Sequence, residues 1–299
     1  MTVKVLSRCL CAAIVCIPTT AFAQEVSLEL EAGTFYDSQL VVEDVDLQQS
    51  EGDFGFRLGA DLEVTAVDTE SVDLELGYRF GQTLYSDFSR FDLQSHVGDV
   101  RVTTRVAGAR LGLRYAYSDF NLGGDGLLSS HTLTPSVSGF VSDGLYVRGF
   151  YTYSDKDFDT SDGRDAELHQ LGLSAFKFYA DNAGFFSLRG HYEEEEAFDP
   201  QFSFDGFNLT AEVRVPLGTR DDPHFDVSAS YRSRDYDGIT PSIGEPRDED
   251  RLRGEVEFVF PLNERFWLEA DYRYTDRSSN LPTADYVEHR FGLSAFFEL

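Results

Sequence analysis

In many segments of this 299-residue chain, charged side chains alternate with apolar ones. Their types and spacing indicate which chemistry the protein could perform. In "FGFRLGADLEV", residues 54–64, Arg57, Asp61 and Glu63 alternate with phenylalanine, leucine, alanine and valine. Arginine binds carboxylates and phosphates through a planar fork of donors, and groups of fixed charge sort ions. These residues therefore predict recognition of charged solutes.

Signals for metal binding or catalysis are weaker. Asp155, Asp157 and Asp159 alternate as in a calcium loop, but Thr160 and Ala166 stand where an EF-hand needs glycine and a bidentate glutamate. The histidines show no metal-binding spacing, and no GxSxG nucleophile motif is present. We expect a solvated acidic loop with at most a weak calcium site, no cofactor and no enzymatic activity.

The first residues are typical of a leader sequence. Lys4 and Arg8 precede the apolar run "CLCAAIVCI", and "AFA" precedes Gln24. This pattern predicts a cleaved signal peptide at 1–23 and a mature domain at 24–299. All the cysteines lie in the leader, so we expect neither disulfides nor thiol chemistry.

Composition narrows the class of protein further. The chain has 53 acidic and 25 basic residues, a formal net charge of −28, which argues against a nucleic-acid partner. Its 26 phenylalanines and 15 tyrosines argue against disorder. After residue 23 no stretch of about 18 residues is continuously apolar, which excludes a helical membrane protein.

The alternating pattern predicts fourteen strands, separated by alternately short and long polar connections. This asymmetry is typical of bacterial outer-membrane barrels, whose turns are short at one end and whose loops are long at the other. The strand at 88–96 is the least distinct, and losing one hairpin within 86–104 would give twelve strands. The predicted strands are 26–36, 54–64, 71–85, 88–96, 104–117, 131–141, 145–154, 167–179, 184–193, 205–217, 224–233, 251–262, 266–275 and 286–299. The predicted long loops are 37–53, 118–130, 155–166, 194–204, 234–250 and 276–285.

Aromatic residues on the apolar parity indicate where a bilayer would lie. Tyrosine collects at membrane interfaces because its ring suits lipid and its hydroxyl suits headgroups. We therefore predict an all-β, antiparallel transmembrane barrel in the bacterial outer membrane, contacting lipid, with a periplasmic N-terminus and extracellular long loops. One girdle comprises Tyr78, Phe80, Tyr115, Tyr117, Tyr151, Tyr153, Tyr272 and Tyr274, and the other Phe225, Phe260, Phe266 and Phe297.

The opposite parity should line the lumen with nearly balanced charge, so most of the net charge should lie in the loops, including an outward acidic lip at 193–196. We expect an arginine-rich upper lumen above an acidic ring. An open or gated channel and a lumen filled by cross-strand ion pairs both remain possible. The predicted solute-facing arginines are Arg57, Arg79, Arg110, Arg114, Arg253, Arg273 and Arg290. The predicted acidic ring comprises Glu63, Glu75, Glu257 and Asp271.

Two segments carry a family resemblance. "PSVSGFVSDGLYVRGFYTYSDKDFDTSDGRDA" and "DYRYTDRSSNLPTADYVEHRFGLSAFF" resemble the C-terminal barrel domain of the surface lipoprotein assembly modifiers. The resemblance, from about residue 54 onward, implies a fourteen-stranded translocator that helps lipoproteins reach the cell surface. In that family a periplasmic tetratricopeptide-repeat domain precedes the barrel, and here the first predicted strand follows the leader almost directly. Translocation would therefore need a separate periplasmic or lipoprotein partner.

The sequence thus leaves three functions open. A passive or gated channel with a mixed arginine and acid lumen is the one we favour. The alternatives are the barrel component of a surface lipoprotein translocation system and a structural barrel with acidic surface loops. In each case the outer-membrane assembly machinery would insert the chain. The signal for this machinery usually ends in an aromatic residue, whereas this chain ends in "FFEL".

Overall fold

The computed structural model describes residues 25–219 and 222–299, and the predicted signal peptide lies outside this part of the chain. Fourteen antiparallel strands form a closed barrel, and two short strands, β2 and β3, pair separately in the first connection. The strands are β1 Glu25–Asp37, β2 Leu40–Val42, β3 Leu47–Gln49, β4 Asp53–Asp68, β5 Val72–Tyr85, β6 Leu93–Val106, β7 Ala109–Leu122, β8 Asp125–Ser142, β9 Leu145–Phe158, β10 Ala166–Tyr179, β11 Gly184–Ala197, β12 Phe204–Pro216, β13 His224–Thr240, β14 Glu245–Pro261, β15 Phe266–Ser279 and β16 Tyr286–Glu298. Short 3-10 turns occur at Glu43–Val45, Ser89–Phe91, Asp162–Arg164 and Pro200–Phe202.

Strand β1 closes the barrel by pairing with β4 on one side and β16 on the other. Ala32, for example, lies opposite Leu58 in β4 and Ala295 in β16. Closure leaves no strand edge with unpaired backbone groups, which hydrocarbon would not tolerate. The prediction of fourteen antiparallel strands is confirmed, and the twelve-strand alternative is wrong.

Two predicted strands are placed too early in the sequence. The strands expected at 88–96 and 104–117 lie at Leu93–Val106 and Ala109–Leu122. The reversal between them is Ala107–Gly108, where both residues have positive φ, 51° and 87°. A two-residue hairpin turn requires this backbone conformation, and alanine gives no sequence signal for it.

Two of the predicted long loops are mostly extensions of the strands, and the others are shortened by such extensions. The segment predicted as the loop 118–130 contains a turn at Gly123–Gly124, and the loop predicted at 234–250 is reduced to residues 241–244. The acidic run 193–196 lies within β11, where Glu193 is buried and Glu194 and Glu196 are exposed, so only part of the predicted outward lip is exposed. Backbone pairing continues where both faces of a hairpin are polar, and there the alternation that reveals strands in a sequence disappears.

The apolar parity lies on the outside of the barrel. Phe54, Phe56, Leu171 and Leu173 are 63%, 57%, 66% and 65% exposed. The alternating "FGFRLGADLEV" stretch therefore turns its phenylalanines and leucines outward. Among the described residues, no helix has the length and apolar character needed to span a membrane.

Tyrosines of the predicted girdle form a repeated outer contact. On four hairpins a tyrosine hydroxyl is hydrogen-bonded to Nδ1 of a histidine on the next strand, at 2.6 to 2.9 Å. On two more hairpins the hydroxyl donates to an aspartate. Four of the six histidines therefore serve the outer rim, consistent with the interfacial position predicted for these tyrosines. The pairs are Tyr78–His96, Tyr115–His131, Tyr151–His169, Tyr272–His289, Tyr192–Asp205 and Tyr231–Asp250.

Candidate functional site

Residues 38–52, which connect β1 to β4 and which we call the crossing loop, lie across one mouth of the barrel. The loop contains the β2–β3 hairpin with the 3-10 turn Glu43–Val45 between its strands. Gln39 Nε2 donates to Gln48 Oε1 at 2.7 Å across the hairpin. This compact turn places an apolar and an acidic side chain in adjacent positions of the loop.

The apolar side of the crossing loop packs against one wall. Val42 and Val45 contact a buried cluster of Leu127, Leu128 and Phe158, from β8 and β9. Leu93, Phe120 and Leu122 of neighbouring strands join the same cluster. Apolar burial therefore attaches the loop to the β6–β9 side of the mouth.

The acidic side of the loop reaches the opposite wall through Glu43. Arg232 Nη2 lies 2.9 Å from Glu43 Oε2, and Arg251 Nη1 lies 2.9 and 2.8 Å from the two carboxylate oxygens. Arg253 Nη2 is 3.4 Å away, and the Tyr286 hydroxyl donates at 2.8 Å. One carboxylate from the loop therefore holds groups on β13, β14 and β16.

Asp46 makes a second set of ion pairs three residues further along. Arg164 Nη2 lies 2.6 Å from Asp46 Oδ2, and Arg247 Nη2 lies 2.8 Å from Oδ1. Arg247 also pairs with the buried Glu249, which Arg277 contacts at 2.6 Å. Charge-assisted hydrogen bonds of this kind are stronger than neutral ones, so the loop is tied at two points.

Polar contacts at the loop's far end complete the attachment. Arg90 Nη2 donates to Gln49 Oε1 at 2.6 Å, and Gln48 Nε2 donates to the carbonyl oxygen of Thr283 at 2.6 Å. Arg90 and Thr283 lie in the connections that follow β5 and β15. The crossing loop thus has contacts on both sides of the mouth.

The arginines keep both loop carboxylates ionised. Burial alone would raise the pKa of Glu43, but Arg232, Arg251, Arg277 and Arg253 outweigh it and lower that pKa well below its ordinary value. For Asp46, burial likewise acts to raise the pKa, while Arg247 and Arg164 lower it further than burial raises it. Both ion pairs therefore persist in mildly acidic solution.

A cavity of about 450 Å³ lies beside the crossing loop. Glu43 and Asp46 line it from the loop, and Lys156 and Glu195, which pair at 2.6 Å, line it from β9 and β11. Three of the predicted lumen arginines, Arg253, Arg273 and Arg290, also line this cavity.

The other predicted arginines are spread over the wall below. Arg57 contacts Glu31 at 2.9 Å and pairs with Asp271. Asp99 lies between Arg79 and Arg114, at 3.4 and 2.8 Å.

Arg110 makes none of these ion pairs. With Arg101, Arg114 and Arg148 it lines a separate cavity of about 410 Å³. The predicted set is therefore divided among several sites and does not form one group.

The acidic residues predicted as a ring are also divided. Glu63 and Glu75 line a small cavity with Arg101, which lies 2.7 Å from Glu75. Asp271 is buried against Arg57, whereas Glu257 lines a cavity of about 1030 Å³ at the end opposite the crossing loop. Glu29, Asp226 and Glu269, on β1, β13 and β15, line that cavity together with Glu257.

Sequence reasoning missed the loop and several of its partners. Glu43 and Asp46 were placed in a solvent-facing loop, and Arg234, Arg247 and Arg277 in connections that are strands. The alternation of "YRSRD" and "DRLRGEVE" continues that of the neighbouring strands and could have shown that β13 and β14 extend. No sequence signal shows that a loop turns inward.

The three aspartates proposed as a weak calcium site lie along, or just after, a single strand. Asp155 and Asp157 lie in β9, and Asp159 follows its end. Within residues 25–219 and 222–299, no group of three or more histidine, cysteine, aspartate or glutamate side chains is arranged to hold a metal ion.

Comparisons with known proteins agree with this architecture. The family described as "Putative beta-barrel porin 2" matches residues 207–298, from β12 to β16. The anion-selective porin from Comamonas acidovorans has a TM-score of 0.55 at 9% identity, covering 92% of this chain and 99% of that chain. For the outer-membrane OmpT of Vibrio cholerae the TM-score is 0.54 at 10% identity, covering 93% and 100%.

No curated protein sequence matches this chain. At these identities the similar structures establish the fold, and the resemblance to surface lipoprotein assembly modifiers stays a prediction. The chain has the closed antiparallel fold of bacterial outer-membrane barrels.

Proposed function

We propose that this protein is an outer-membrane channel for small charged solutes, and that the crossing loop restricts its extracellular mouth. The observation that carries the proposal is the way the loop is held. On one wall it packs through Val42 and Val45, and on the other it depends on ion pairs of Glu43 and Asp46. Ion pairs that line a hydrated passage can exchange for solute, unlike a continuous apolar core.

The proposed orientation places the crossing loop outside the cell. Outer-membrane barrels carry their longer connections on the extracellular side, and residues 38–52 are the longest connection between barrel strands in the described chain. The tyrosines bonded to histidine or aspartate lie on the hairpins of this same end. The match to a porin family over residues 207–298 supports a channel over a translocator.

Planar-bilayer recording tests the proposal directly. Replacing residues 40–49 by a short Gly-Ser linker should raise single-channel conductance by about threefold or more, because charged and apolar groups no longer cross the mouth. Asp44→Asn is the matched control, since Asp44 lies in the same loop and its carboxylate makes none of the ion pairs that hold the loop. This control should conduct like the wild type.

The remaining alternative is a structural barrel whose lumen is filled below the crossing loop by ion pairs of the wall. That role predicts no conductance from the wild type and none from the linker variant at any salt concentration. Such a result would refute the channel, provided that heat-dependent mobility on gels shows both proteins to be folded.

A further inference from the structure

The arginines that hold Glu43 form an unusually concentrated cationic group. Arg232, Arg251 and Arg253 all direct a guanidinium at the same carboxylate, at 2.8 to 3.4 Å. Among the described residues, Glu43 is the only carboxylate within 4.0 Å of these three side chains. Their charge is therefore neutralised only in part, and only by a residue that belongs to the crossing loop.

The geometry around the carboxylate is that of a binding site. Arg251 Nη1 contacts both oxygens of Glu43, and Tyr286 adds a neutral donor at 2.8 Å. Arg232 and Arg251 keep only 11% and 12% of their side chains exposed, so their charges are poorly hydrated. Arg251 Nε is buried with no hydrogen-bond partner, which leaves a donor available. Donors fixed in this way suit a planar anion with two oxygens.

Space for such an anion adjoins the arginines. The cavity of about 450 Å³ is lined by Arg232, Arg251 and Arg253 together with Glu43. Phe202 and Phe204 line the same cavity and could contact the apolar part of an organic solute. Glu288 also lines it, as a carboxylate that would oppose a second negative charge nearby.

We propose that Arg232, Arg251 and Arg253 are the binding site for the carboxylate of a small organic anion, and that Glu43 occupies this site when no solute is bound. The inference rests on the proposed channel function and names its substrate class. A carboxylate is assigned because the Glu43 side chain that occupies the site carries one. Since Glu43 is tethered to the loop, it competes with solute at high effective concentration. Solute binding would thus release one of the two ties of the crossing loop, while Asp46 keeps the other.

Binding of propionate, which matches the end of a glutamate side chain, tests the site. We would measure it by NMR with ¹³C-labelled propionate and detergent-purified full-length protein, using the neutral amide propionamide as the probe control. Glu43→Gln should bind propionate about tenfold more tightly than the wild type, because the amide lacks the negative charge that competes with propionate while the loop stays in place. Glu51→Gln makes the same change in the same loop, at an exposed position that does not line the cavity, and should bind like the wild type.

A second variant assigns the binding to the arginines. Adding Arg251→Gln to Glu43→Gln should abolish the gain in propionate affinity while leaving heat-dependent mobility unchanged. Equal affinity of Glu43→Gln and Glu51→Gln, equal affinity for propionamide, or full retention of affinity after Arg251→Gln would each overturn the assignment.

Conductance separates this inference from the proposed function. Propionate should block chloride current through Glu43→Gln in a saturable manner and have little effect on Glu51→Gln. If every variant fails to conduct, the channel is refuted and the NMR titration still decides the carboxylate site. If the variants conduct but the titration shows no gain for Glu43→Gln, the channel stands and the carboxylate site is wrong.

Discussion

Glu43 combines a partly buried position with a strongly held charge. Because its pKa is lower in the folded protein than in the unfolded chain, its ion pairs stabilise the closed mouth above the ordinary glutamate pKa. That contribution is lost only as the pH falls through the lowered value. The pKa of Asp46, in the same loop, is also lower than its ordinary value.

This charge predicts an acid-resistant mouth. Wild-type conductance should stay low between about pH 7 and pH 4, a range in which exposed glutamates begin to take up protons. Recording the linker variant over the same range shows how much the rest of the lumen contributes. A wild-type conductance that rises towards the linker value near pH 4 would show that Glu43 is protonated there, contrary to this account.

At the level of strands, the alternating pattern predicts how many elements exist better than where they end. The alternation of apolar residues over residues 54–64 identifies β4, because lipid-facing residues must be apolar. Strand β13 runs on to Thr240, where both faces are polar and the alternation no longer marks the strand. The inward course of the crossing loop depends on residues distant in sequence, such as Glu43 and Arg251. Local pattern contains no information about such a contact.

Close strand packing inside the barrel makes one glycine critical. A Cβ at Gly292 on β16 would collide with the Asp271 carboxylate and approach Arg57, whereas a Cβ at Gly98 on β6 meets no atom within 4 Å. Gly292→Ala should therefore lower the free energy of unfolding by about 1–3 kcal/mol, because the ion pair must shift.

The measurement is urea unfolding in detergent, with Gly98→Ala as the matched substitution. Gly98→Ala should leave the midpoint nearly unchanged. Equal midpoints for the two variants would mean that the Arg57–Asp271 pair relaxes without cost, and the packing argument would be wrong.

For the molecule as a whole, the formal net charge of −28 does not describe the permeation path. Acidic side chains are concentrated at one end, where Glu257 and Glu269 line a cavity, while arginines surround the crossing loop. Ion pairs such as Arg273–Glu255, at 2.6 Å, neutralise much of the wall between them. In the proposed channel, solutes would therefore meet regions of opposite charge in sequence.

Weak overall ion selectivity is the expected result. The reversal potential of the wild type under a potassium chloride gradient should lie near zero, since the two charged regions oppose each other. Removing residues 40–49 should shift it towards anion preference, because Glu43 and Asp46 no longer balance the arginines. A strong cation preference in both proteins would contradict this distribution of charge.

The crossing loop follows the first strand, yet most of its charged partners lie on β13, β14 and β15. During insertion these late strands must arrive before Glu43 and Asp46 can meet them. The loop can therefore cover the mouth only after those strands have folded, late in the formation of the barrel. A barrel that has not yet reached this step should be more permeable than the mature protein.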